Sequence, residues 1–135
     1  MGRRLIDTNI FIDAERGLLD LETFVSANVD FQYFMSVVTV SELLHGVLRA
    51  SEKYRQQRSA TVEKWIRDFP LIDIDEVVAR QHARLYSQLR ADGKLIGVND
   101  QWLAASCMTH DLTLVTANVK EFGQVAGLEI ESWRA

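Results

Sequence analysis

The chain has 135 residues, 47% of them hydrophobic and 25% charged, a balance that excludes a disordered polymer and leaves room for one hydrophobic core. Its formal net charge of −4 carries no overall basic signature, so any affinity for nucleic acid has to come from local features. No apolar run approaches the ~20 residues of a membrane helix, and the opening Met1 to Asp7 lacks the apolar stretch of a secretion signal; the expectation is a cytoplasmic protein with no membrane contact.

In chain order, Leu5-Ile6 reads as a strand that ends at Asp7, after which Thr8 to Ile12 can open a helix. A β-branched run from Phe34 to Val38 predicts a second strand, and Val40, Leu43, Leu44, Val47 and Leu48 then share one helical face. Val62, Trp65, Ile66 and Phe69 predict another amphipathic helix, broken by Pro70 before a strand at Leu71 to Ile74. Val78, His82, Leu85 and Leu89 mark a further helix, which Gly93 is placed to stop. Leu103, Ala104 and Ala105 belong to an apolar helix with Cys107 and Met108; the lone cysteine reads as buried packing in a reducing compartment. Strands at Leu112 to Thr116 and Leu128 to Ile130 complete the pattern. This alternation predicts an α/β fold over residues 1–135 as one domain, with a mostly parallel central sheet and helices on both faces.

Three carboxylates fall at helix starts: Asp7, Glu42 and Asp100. Each has a local explanation, since acids favour helix N-termini and Thr39 with Glu42 has the spacing of a capping box. However, ligands of an α/β sheet gather in the crevice beyond the carboxyl ends of its strands. Carboxylates meeting there would repel one another unless a cation intervened. Oxygen-only donors with room for water suit Mg²⁺ or Mn²⁺, ions that activate water and steady the charge of a phosphoryl transition state.

The segments Leu5 to Ile12, Ser36 to Gly46, Gly97 to Asp100 with Leu103 to Ala105, Leu114 to Phe122, and Gly127 to Trp133 resemble, in order, the motifs of a VapC-type PIN domain. That resemblance implies a Mg²⁺-dependent endoribonuclease acting on RNA, usually a homodimer, held inactive by a VapB-type antitoxin. Asp7, Glu42 and Asp100 match the family's acidic centre. Its fourth acidic position falls on Asn118, a neutral residue, with Glu121 the nearest carboxylate. Thr8, Asn9, Asn99, Thr116 and Asn118 are candidates for orienting a ligating carboxylate or a water. Two rival readings are a structure-specific DNA nuclease and a degenerate, non-catalytic PIN module that binds RNA or protein.

Elsewhere, His45, His82 and His110 have no partner at zinc-ligand spacing, and no serine sits in a nucleophile elbow. Basic residues are dense at Arg49, Lys53, Arg55, Arg58, Lys64 and Arg67, either a solvated helical face or a phosphate-binding rim to which Arg80, Arg84, Arg90 and Lys94 could add. Phe11, Phe24, Phe31, Tyr33 and Phe34 crowd the first quarter, as core or, where exposed, as a groove for a partner helix.

Overall fold

Successive strand residues point to opposite faces of a sheet, so the pair Leu5 and Ile6, both fully buried, feeds two separate cores. The computed structural model describes residues 2–133. Its elements are β1 (Arg3–Ile6), α1 (Thr8–Glu15), α2 (Leu21–Ser26), β2 (Gln32–Ser36), α3 (Val37–Arg49), α4 (Glu52–Asp68), β3 (Leu71–Ile72), α5 (Glu76–Ala91), α6 (Val98–His110), β4 (Thr113–Val115), α7 (Val119–Phe122) and β5 (Ile130–Glu131). The strands form one sheet in the order β3-β2-β1-β4-β5, and every pairing is parallel. Leu5 and Leu114 lie with Leu85, Leu89, Leu103 and Phe122 under α5, α6 and α7. Ile6 and Val115 lie with Ile10, Phe11, Leu43 and Val62 under α1, α3 and α4. The expected α/β class, with helices on both faces, is what the chain adopts.

Several element limits differ from the sequence reading. The second strand stops at Ser36 rather than Val38, because the Ser36 hydroxyl accepts a hydrogen bond from the Val38 amide at 3.0 Å and starts α3 there. Val37 and Val38 are therefore helical despite their β-branching: a local cap overrides propensity. The same shift removes the capping box, since Thr39 is a fully buried residue inside α3 rather than its N-cap. Leu48 leaves the buried face of α3 and is 72% exposed. The third strand is the pair Leu71–Ile72, and the last is Ile130–Glu131 rather than Leu128 to Ile130. The short helix α2 has its own cap, Asp20, whose carboxylate accepts from the Thr23 amide.

Pro70 does separate α4 from β3, and Gly93, at φ +67°, follows the C-terminus of α5 in the left-handed conformation that glycine accommodates. The aromatic crowd of the first quarter is core, not groove: Phe11 and Tyr33 are buried, Phe24, Phe31 and Phe34 half-buried. Phe11 meets Trp65 and Phe69 at ring separations of 5.1 and 5.4 Å. At the far edge, the Arg4 guanidinium donates to Glu131 at 2.9 Å and lies 3.6 Å from the Phe31 ring centre, tying β1 to β5. Among the described residues, no helix is long and apolar enough to cross a membrane.

Because Phe11 is, with Phe122, the largest fully buried side chain among the described residues and couples α1 to α4, Phe11→Ala is expected to remove about 3–5 kcal/mol of stability in urea unfolding. A loss under about 1 kcal/mol would show that α4 packs without it.

Candidate active site

With strand order β3-β2-β1-β4-β5, the sheet reverses its winding between β1 and β4, and the crevice at their carboxyl ends is where such folds open. Asp7 is the first residue after β1, its amide donating to the Val115 carbonyl at 2.8 Å. Asp7 stands at the N-cap position of α1, and although the Thr8 and Asn9 amides pull its carboxyl down, neither makes a full capping hydrogen bond to its side chain. It accepts instead from the Thr116 hydroxyl at 2.7 Å, across the break between β1 and β4. Thr116 in turn accepts from the Asn118 amide at 2.9 Å, which fixes its hydroxyl toward Asp7. Asn9 closes the same seam, its side-chain oxygen accepting from the Ala117 amide at 3.2 Å.

Glu42 lies in the second turn of α3 and is reached from α1. Thr8 Oγ1 is 2.6 Å from Glu42 Oε1 and 2.9 Å from Thr39 Oγ1. A hydroxyl has one proton to give, and the carboxylate is the stronger acceptor, so Thr8 donates to Glu42 and Thr39 turns its own hydroxyl to donate to Thr8. Thr39, visible in the sequence only as a capping residue, is thus a buried prop under Glu42. The T-x-x-E spacing was the available signal, but it carried the wrong meaning.

Asp100 sits in the first turn of α6, whose N-cap is Gly97. No strand precedes it; α6 follows α5 directly, and its N-terminus brings Asp100 into the crevice. Glu121, on α7, accepts from the Gly97 amide and from the Asn118 side-chain amide, both at 2.7 Å, and faces the Asp100 carboxyl. The neutral Asn118 and the displaced acid Glu121 are therefore one unit: the asparagine holds the carboxylate in place. Asn99 is exposed on the same rim, beside Thr8 and Glu42.

The electrostatics follow from burial and crowding. Asp7 is 4% exposed, and loss of water pushes its carboxyl up to about 6, with the Glu42 charge adding to the rise while the Thr116 hydroxyl opposes it. Asp100 is pushed up to about 7, first by burial and then by the charges of Asp7, Glu121 and Glu42. Glu121 goes the other way, held down by the Gly97 amide and the Asn118 side chain. Among the described residues none of Asp7, Glu42, Asp100 and Glu121 pairs with a lysine or arginine. Nor do any three His, Cys, Asp or Glu side chains there form a ready-made metal cage. The donor set is nonetheless all oxygen, strongly anionic and without a cation of its own, which fits a hard divalent ion.

The other titratable candidates lie outside this group. His82 stacks on Trp102 at 3.9 Å, and its Nε2 meets the Gln101 side-chain oxygen at 3.0 Å. Cys107 is buried, as expected, and burial pushes its thiol well above the ordinary range.

Residues 4–128 match the PIN domain model, and the chain belongs to the PIN-domain family. Within that family it groups with the VapC ribonucleases. It is 34% identical over 114 residues to "Ribonuclease VapC4" of Mycobacterium tuberculosis, covering 84% of this chain and 85% of the relative. It is 30% identical over 134 residues to "Ribonuclease VapC2" of Haemophilus influenzae, covering 98% and 99%. Among solved structures, a chain of the DNA-bound VapBC from Salmonella typhimurium superposes with a TM-score of 0.90 at 25% identity over 99% of this chain and 100% of that one. A chain of VapBC-5 from Mycobacterium tuberculosis gives 0.77 at 30% identity, each chain fully covered.

The raised carboxyls have a stability signature. A group whose folded pKa exceeds its unfolded value binds its proton more tightly when folded, so its contribution declines as pH rises from its ordinary value of 3.8 to about 6 for Asp7 and about 7 for Asp100. In metal-free protein, Asp7→Asn is expected to match wild type near pH 4 and to become progressively more stable above it. The gap levels off past pH 7 at no more than about 3 kcal/mol. Thermal melts across that range test it, and a variant less stable than wild type at pH 7 would mean that Asp7 is a structural acid.

Proposed function

We propose that this chain is a Mg²⁺-dependent endoribonuclease, the toxin of a type II pair, restrained by a VapB-type antitoxin and working in the cytoplasm as a homodimer. The observation that carries this reading is the cluster of uncompensated carboxylates at the sheet's switch point. It lies in a chain that matches named VapC ribonucleases over most of its length. The VapBC complexes among the structural relatives support the antitoxin.

Asp7, Glu42 and Asp100 would hold the ion, with Glu121 as the fourth acid. When bound, Mg²⁺, or Mn²⁺ in its place, supplies an activated water and positive charge for attack on an RNA phosphodiester. The protein's own part is geometry. Thr116 fixes the buried Asp7, the Thr39–Thr8 pair aims Glu42, and Asn118 with the Gly97 amide holds Glu121 facing Asp100.

Substitution of a ligand should cost more than substitution of its support. Asp7→Asn and Asp100→Asn are each expected to lower Mg²⁺-dependent RNA cleavage by more than about 100-fold with the fold intact, and Asn118→Ala by about 10-fold. RNA cleavage at the wild-type rate by either aspartate variant would remove that residue from the centre, and faster cutting of a matched DNA oligonucleotide would make the chain a DNA nuclease.

Thr39 gives a separate test, because it touches no ion and acts only through Thr8. Thr39→Val is expected to weaken Mg²⁺ binding in calorimetry by about 10-fold, and Thr39→Ser, which restores the hydroxyl, to recover it. Equal affinities in the two variants would mean that Thr39 is packing alone.

A further inference from the structure

Asp7, Glu42 and Glu121 each stand on an element that follows a strand of the sheet, β1, β2 and β4, whereas α6, which carries Asp100, follows α5 with no strand between. Strand pairing fixes the first three, and something else has to fix the turn at residues 95–97 from which α6 starts. Side chains hold the backbone of that turn. Gln101 reaches back beneath the start of its own helix, its side-chain nitrogen donating to the Ile96 carbonyl at 3.0 Å while its backbone amide donates to the Gly97 carbonyl at 2.9 Å. Gln124 donates to the Leu95 carbonyl at 3.2 Å. The next group along, the Gly97 amide, is the one that donates to Glu121. Gly97 also lies against both acids, since a Cβ placed there would stand 3.7 Å from Asp100 Oδ2 and 3.8 Å from Glu121 Oε1.

Gln101 is only 8% exposed, and a glutamine is costly to bury unless its amide is engaged. His82, on α5, engages the other end: its Nε2 lies 3.0 Å from Gln101 Oε1. The Ile96 carbonyl can only accept, so Gln101 turns its nitrogen to that carbonyl and its oxygen to the imidazole, and Nε2 carries the hydrogen. The neutral ring protonated at Nε2 and the doubly protonated ring both donate this bond. The ring itself is held by stacking, on Trp102 of α6 at 3.9 Å and on Tyr86, one turn farther along α5, at 5.9 Å.

We propose that His82 and Gln101 are positioning residues of the acid centre: through the Ile96 carbonyl they set where the Gly97 amide and the first turn of α6 stand, and hence how Glu121 and Asp100 face each other. This assignment rests on the reading of the four acids as a Mg²⁺ site. Packing of α5 on α6 alone would be served by a methionine at position 101; the amide adds direction, which apolar contact lacks. Neither residue is a ligand. His82 acts only through Gln101, and Gln101 only through the turn.

Gln101→Met keeps the bulk and loses both side-chain bonds, while His82→Phe keeps a stacking ring and loses the donor. Calorimetry of the full chain with Mg²⁺ alone is expected to show affinity about tenfold weaker for Gln101→Met and several-fold weaker for His82→Phe. The double variant is expected to bind no more weakly than Gln101→Met, because the two effects lie in series. Val62→Ala, which thins the opposite core, is expected to lower the melting temperature and leave Mg²⁺ affinity at the wild-type value. A second readout needs no metal. In the NMR spectrum of the metal-free protein, the Gly97 amide proton, drawn downfield by its bond to the Glu121 carboxylate, is expected to move upfield in Gln101→Met, part of the way to its position in Glu121→Gln. Wild-type Mg²⁺ affinity in both single variants, an equal loss in Val62→Ala, or losses that multiply in the double variant would overturn the assignment. Should the unaltered chain bind no Mg²⁺, the metal reading fails by itself and the Gly97 resonance decides: an unmoved signal in Gln101→Met ends the positioning role as well.

Discussion

Like charges brought together at one end of a parallel sheet are the constraint around which this molecule is arranged. The charges of Asp7, Glu121 and Glu42 push the Asp100 carboxyl up and that of Glu42 adds to the rise at Asp7, and no basic side chain among the described residues pairs with any of the four acids. What keeps them together is a set of neutral donors, one for nearly every acid: Thr116 for Asp7, Thr8 for Glu42, and the Gly97 amide with Asn118 for Glu121. Neutral donors orient a carboxylate without cancelling its charge, so the cluster keeps its appetite for a cation. Arginines in the same places would give a more stable chain and a dead centre.

The two hydrophobic cores explain how such a cluster is tolerated. β1 and β4 pair directly, and their last residues, Ile6 and Val115, are both fully buried on the same face. The carboxyl ends of these strands are thus fixed from below, and the electrostatic strain acts on a rigid edge rather than on a loop. Asp100 and Glu121 come in on helix N-terminal turns anchored by Leu103 and Phe122, which belong to the opposite core. The acids consequently approach from both layers of the fold, and the centre exists only where the two layers meet.

Much of this was legible in the sequence, but unevenly. Strand-to-helix alternation and three-to-four spacing gave the class and the order of the larger elements, because burial of one face leaves a periodic trace. Element ends were less readable: Val37 and Val38 look like strand, and only the hydroxyl of Ser36 decides otherwise. Asp7, Glu42 and Asp100 could be picked out singly, whereas their meeting depends on α6 entering the crevice without a strand before it. Asn118 and Glu121 looked like alternatives for one position; a hydrogen bond between side chains three residues apart makes them partners, and such a bond has no signature in composition. Arg16, just past α1, lines one cleft with Arg49 of α3 and Arg58 of α4 beside Glu42, a relation that exists only in three dimensions.

The sheet's outer strands bear on how this chain meets others. β3 and β5, which bound the sheet, are each two residues long, Leu71–Ile72 and Ile130–Glu131. So short a rim offers an incoming strand almost no ladder to extend, which protects the fold from edge-to-edge aggregation. It also directs association elsewhere: a second copy or an inhibitory partner gains little by sheet extension and has to engage the helical layers, where recognition is written in side chains rather than in backbone.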